Sequence, residues 1–147
     1  MQDSKKIWIW VGVAVVVIAV IVLVMWKLKQ PASSGPVPVF APQGQLVPQF
    51  PKDLILDSSA AISGSYSVNY SSSTNQYTAT YDSSSTVATI YSDYQSYLPK
   101  NNWTVTGSLT THPTFNAIAA AQGNNRLQIV ISTQTKGSEV TITYVVK

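Results

Sequence analysis

The chain reads as an α+β domain carried on one membrane-spanning helix, and three observations predict that class. An uncharged run, IWIWVGVAVVVIAVIVLVMW, fills residues 7–26. Six of the eight prolines crowd into residues 30–51. Beyond them, six short stretches alternate apolar with polar residues, and one stretch repeats at helical spacing. These divide the chain into a short flank (1–6), a transmembrane helix (7–26), a Pro-rich linker (27–52) and an extracytoplasmic domain (53–147).

Twenty helical residues span about 30 Å, the thickness of a bilayer's hydrocarbon core. The run ends in Trp26, Lys27, Leu28 and Lys29, a bulky charged flank that halts transfer, whereas a secretory signal ends in small residues suited to cleavage. Trp8, Trp10 and Trp26 stand where aromatic belts sit at the two membrane interfaces, with Lys27 and Lys29 in the headgroup region. Lys5 and Lys6 balance Lys27 and Lys29, so flanking charge does not set the orientation. The short N-terminal flank and the long polar C-terminal part favour a cytoplasmic N-terminus and an exported domain.

The linker's prolines remove backbone donors and favour extended geometry, so the segment is expected to act as a spacer. Its Phe40, Leu46, Val47 and Phe50 exceed what a spacer needs. The later ones are candidates for pinning the linker's end to the domain.

In the domain, SYSVNY places Tyr66, Val68 and Tyr70 on one face of a strand, and QYTATYD does the same with Tyr77, Ala79 and Tyr81. The polar residues between them form the hairpin loop. Val87, Ile90, Tyr91, Tyr94 and Leu98 recur at helical spacing, with Ser84 or Ser85 as the cap and Pro99 ending the helix near Leu98. Strands follow in WTVTGSL, FNAIAAAQ, RLQIVIS and EVTITYVV, with GNN and TKGS as two of the turns. The expected order is therefore β-β-α-β-β-β-β, a small antiparallel sheet with one helix packed on a face. Alternation puts Trp103 on the same face as Val105, where its indole closes the end of the core.

The passage VATIYSDYQSYLPKNNWTVT resembles the helix-to-strand passage of small bacterial membrane-anchored or lipoprotein domains that carry a V..FY...L...GW.V pattern. Val87, Tyr91, Leu98, Trp103 and Val105 match it. Ile90 stands where an aromatic is common, and Asn102 replaces the usual glycine. The resemblance implies the same fold and an extracytoplasmic placement. It implies no activity and no site residue.

Composition narrows the chemistry. The +3 charge comes from the membrane flanks, and from residue 30 onward five basic groups meet five acids. A neutral domain lacks the basic footprint of a nucleic-acid binder. With no cysteine, thiolate catalysis and Cys-based zinc sites are excluded. The one histidine, His112 in TTHPT, has no partner at metal-ligand spacing, and no serine sits in a nucleophile motif. No enzyme activity, cofactor or metal is expected.

The conspicuous enrichment is tyrosine, with seven of eight between Tyr66 and Tyr97. Phe40, Phe50, Tyr66, Tyr70, Tyr77 and Tyr81 are the candidate contacts for a protein or glycan. The role that follows is a single-pass, bilayer-anchored interaction domain, an accessory subunit, tether or assembly component of an envelope complex. Its partner is expected to be another envelope protein or a second copy of itself. Two other roles share the layout, a pilin-like filament subunit and a glycan- or peptidoglycan-binding module. The first lacks its acidic residue near the start of the apolar run, and its amphipathic continuation is broken by Lys27 and Lys29.

Overall fold

The computed structural model describes residues 35–112 and 114–147. The expected span, its flank residues Trp8, Trp10, Trp26, Lys27 and Lys29, and the first part of the linker lie outside the described residues. Among the described residues no helix is long and apolar enough to cross a membrane.

The domain is an antiparallel sheet with one α-helix against it. Its strands are β1 (Pro38–Phe40), β2 (Ala61–Ser71), β3 (Thr74–Ser83), β4 (Thr104–His112), β5 (Phe115–Gln122), β6 (Asn125–Thr133) and β7 (Ser138–Val146). The helix, α1, spans Val87–Lys100 between β3 and β4, and a 3-10 turn covers Lys52–Leu54. Spatial order is β1-β2-β3-β7-β6-β5-β4, antiparallel at every pairing. Thus α1 carries the chain from the third position to the far edge, and three hairpins bring β7 back beside β3.

Period-2 alternation explains the core. Cross-strand partners share a face, and one row runs Ala79, Ile142, Ile129, Ile118 through the registered pairs. The next row holds Tyr81, Val140 and Ile131. All of these are at most 1 % exposed. Against them α1 presents Val87, Ile90, Tyr94 and Leu98, which recur at three- and four-residue spacing and are likewise buried. Each such side chain contributes about 1.5–3 kcal/mol of transfer free energy.

The proline-rich segment departs from expectation. A compact unit runs from Pro36, not from Asp53. Pro38–Phe40 add a seventh strand, β1, to the six expected. Proline is tolerated there because it opens a strand at the sheet's edge, where one missing donor breaks no interior ladder. Farther on, Val47, Phe50 and Leu54 enter the core, at 3 %, 3 % and 1 % exposure. Polar pins hold them. Val47 N–H donates to Ser65 Oγ (3.1 Å), and Ser65 Oγ donates to Thr78 O (2.9 Å). Tyr94 Oη donates to Leu54 O (2.6 Å) from the helix side.

The ends of α1 also differ in detail. Its cap is Thr86, whose Oγ1 accepts from Thr89 N–H at 3.2 Å, one residue beyond the expected serines. At the other end the helix runs past Leu98 to Lys100, with Pro99 in its last turn. Asn102 then takes φ 61°, the left-handed region. Its N–H donates to Pro99 O (3.3 Å) and Trp103 N–H to Leu98 O (2.9 Å). That pair of bonds is the Schellman arrangement, and the two residues whose side chains usually meet there, Leu98 and Trp103, are both buried in the core.

This gives a physical reason for the glycine that the resembling domains carry before the tryptophan. Asparagine is the next most tolerant residue there. Asn102→Gly is expected to leave stability unchanged or raise it slightly, whereas Asn102→Ala lowers it by about 1 kcal/mol, measured by urea denaturation of residues 36–147.

Candidate interaction surface

Phe40 lies opposite Tyr66 in the β1–β2 register, and their rings meet at 5.6 Å with a 46° tilt. Pro38 lies opposite Val68 in the same ladder. Alternation along β2 carries Tyr66, Val68 and Tyr70 to one face, as the sequence predicts. That face is the one away from α1, because Tyr66 pairs with Thr78 while the neighbouring Ser65–Ala79 pair points into the core. Tyr70 Oη donates to Gln76 Oε1 across the hairpin at 3.2 Å.

The result is an aromatic strip along one edge of the open face, carrying no charged side chain of its own. Phe40 is 70 % exposed and Tyr70 54 %, whereas Val68 beneath them is 8 % exposed. Val37 and Val39 are also exposed, at 74 % and 65 %, but Val39 pairs with Ser67, so alternation turns both to the other side of the sheet. Phe40 therefore gains little burial from its own fold.

The other candidate contacts separate from the strip. Phe50 and Tyr81, expected as contacts, are instead core residues at 3 % and 0 % exposure and take no part in the strip. Tyr77 faces the helix side, because its register partners there are Ser67 and Tyr144. It stacks on Tyr144 at 6.3 Å, and Trp103 meets Tyr144 edge-on at 6.1 Å. These three rings close one end of the core. His112 ends β4, its backbone paired with Phe115.

A second concavity of about 190 Å³ opens at the start of α1, lined by Leu56, Asp57, Ser58, Tyr81, Ser85, Ile90 and Asp93. Asp57 Oδ1 accepts from the Ser59 hydroxyl (2.6 Å) and backbone N–H (2.8 Å), and Oδ2 accepts from Ser83 Oγ. Those bonds, the Ser59 hydroxyl first, hold its carboxyl below the usual carboxylate range. Tyr81 Oη lies 3.0 Å from Tyr94 Oη. Burial pushes both phenols up, so both stay protonated. Because Tyr94 gives its proton to Leu54 O, Tyr81 donates to Tyr94. Toward the other end of α1, burial and a bond to Asp53 push Tyr97 up to about 12. The arrangement binds arm, sheet and helix together. Among the described residues no group of three or more His, Cys, Asp or Glu is placed to hold a metal ion.

Comparison with known proteins adds one finding. A family model described as START domain-like matches residues 63–137, just over half of the 147-residue chain. The chain belongs to the START domain-like family. The match begins inside β2 and ends in the β6–β7 turn, so it contains α1 and the helix-to-strand passage while β1 lies outside it. No curated protein and no solved structure matches the chain.

Proposed function

We propose that this START domain-like domain is a non-catalytic binding module, tethered to a membrane by residues 7–26 and displayed outside the cytoplasm, where its aromatic strip docks on another envelope protein. The exposed Phe40 ring laid against the half-buried Tyr66 is the observation that carries this reading. Aromatic side chains fix large contact area at low conformational cost and dominate interface energies. The strip lies close in sequence to Pro36, where the folded unit begins. Membership of a family whose domains typically bind agrees with a module that recognises and does not transform.

Two measurements test it. Protease added to intact cells or spheroplasts is expected to remove the domain and leave the N-terminus protected. Digestion that requires lysis would reverse the topology. In detergent extracts, Phe40→Ser with Tyr66→Ser is expected to weaken co-purification of the partner by about 2 kcal/mol, roughly thirtyfold. Because the strip lies outside the core, the domain should still fold.

The cleft at the start of α1 supports a second reading, a small ligand seated over Tyr81 and Ile90 between polar walls. Ser58→Trp would fill that cleft. If ligand binding were the role, this substitution would abolish it while the partner still bound the strip.

A further inference from the structure

The two edges of the sheet are built differently. β1 is three residues long and opens with Pro38, which discourages further strand pairing. β4, at the opposite edge, is nine residues long, TVTGSLTTH, with no proline, lysine or acid. Thr104 through Thr110 are all exposed, and Leu109 and Val105 stand at 46 % and 41 %.

Beside Leu109 lies a shallow trough of about 210 Å³, lined chiefly by Gly107, Ser108, Leu109, Ala117, Ala119 and Gln128. Register explains it. Gly107 pairs with Ala119 and Leu109 with Ala117, so all four share the face away from α1. The glycine and the alanines leave the space that a side chain at 107 would fill. A leucine thus projects beside a leucine-sized hollow on the same strand, two residues away.

We infer that β4 is a pairing edge for a second copy of this chain, with Leu109 of each copy seated in the Gly107–Ala117–Ala119 trough of the other. An antiparallel two-fold pairing centred on Ser108 sets Gly107 against Leu109 twice, once on each side of the axis. The occupant is a second copy because an isologous contact confronts every group with its own kind. A charge at this edge would repel itself, and β4 has none. Register shifts between Val105 and Gly107 and between Leu109 and His112 confine regular pairing to Gly107–Leu109. The contact is therefore short, and its specificity rests on Leu109. It uses the edge opposite the aromatic strip and stands independently of it.

The chain has no cysteine, which makes the test direct. In the two-fold pairing the Ser108 residues of the two copies face each other at about 4.5–5.5 Å between Cα atoms, within reach of a disulfide. Full-length Ser108→Cys, purified in mild detergent and oxidised briefly, is expected to form a covalent dimer. Thr135→Cys, in the exposed β6–β7 turn, is expected to remain monomeric. Adding Gly107→Val should cut the dimer yield at least tenfold. A Cβ at 107 would first meet Ala119 Cβ at 4.0 Å, so the fold accepts it while the trough is filled. Adding Leu109→Lys, a change at an exposed position, should do the same. A monomeric Ser108→Cys chain, equal crosslinking at Thr135→Cys, a dimer that survives both second substitutions, or an adduct with a different polypeptide would each overturn the assignment.

Discussion

Truncating Trp103 to alanine is expected to lower the domain's stability by about 3–5 kcal/mol, the cost of deleting a buried aromatic side chain and leaving its cavity. Trp103 is 7 % exposed and stands at the junction where α1 turns into β4. Its N–H completes the Schellman bond to Leu98, and its indole meets Tyr144 edge-on. The loss would therefore reach helix, turn and sheet together. For a domain of this size it approaches the whole stability. Trp103→Phe should keep most of it, since a ring remains against Leu98 and Tyr144. Residues 36–147 contain no other tryptophan, so native emission reports this site alone, and circular dichroism follows unfolding of the variants. An exposed emission spectrum together with an unchanged midpoint for the alanine variant would place Trp103 on the surface.

Gly137 should be nearly as intolerant, for a different reason. It holds φ +89° in the β6–β7 turn, and a Cβ there would stand 2.0 Å from Ser83 O and 3.0 Å from Ser84 Cα. Both neighbours are backbone and have little room to retreat. Ser83 pairs with Ser138 in the ladder, and Ser138 Oγ donates to Ser85 O (2.9 Å), so the turn is clamped against the approach to α1. The unfavourable dihedral alone costs about 1–3 kcal/mol. With the overlap added, Gly137→Ala is expected to destabilise by about 3 kcal/mol or more, read from the shift in urea midpoint at constant slope. Gly64→Ala, where nothing lies within 4 Å of the added methyl, is the comparison and should shift stability far less.

Some of this structure is readable from residue order alone. Alternation in FNAIAAAQ, RLQIVIS and EVTITYVV and the spacing of Val87, Ile90, Tyr94 and Leu98 state which face is buried, because both periods are local geometry. Trp103 closes the core as those patterns imply. Val105 shares its side of the sheet through Ala120, yet at the edge strand it remains 41 % exposed. Edge position is a matter of topology, which alternation does not encode.

The proline-rich arm is readable only in part: Val47 and Phe50 pin its end to the core as expected, while the β1 strand is not foreseen, for a related reason. Proline density signals an absent ladder, but Val39, Phe40, Val47 and Phe50 keep their own donors. Where they dock depends on a sheet formed later in the chain. The tyrosines show the same limit. Tyr66 and Tyr77 both fit a half-buried strand, and only the Ser67–Tyr77 register sends one outward and the other under the helix. A sequence shows that tyrosines alternate, and pairing decides which of them meets solvent.

The claim that the aromatic strip is the docking surface can be tested in place. A photoreactive benzoylphenylalanine at Phe40 of the full-length chain, irradiated in intact cells, reports what lies within a few ångströms of that ring. The account expects a discrete adduct with another envelope polypeptide, absent when the same probe replaces Lys136 in the β6–β7 turn, and lost when Tyr66→Ser is added. No adduct at Phe40, or an adduct with cell-wall glycan and no protein, would contradict it.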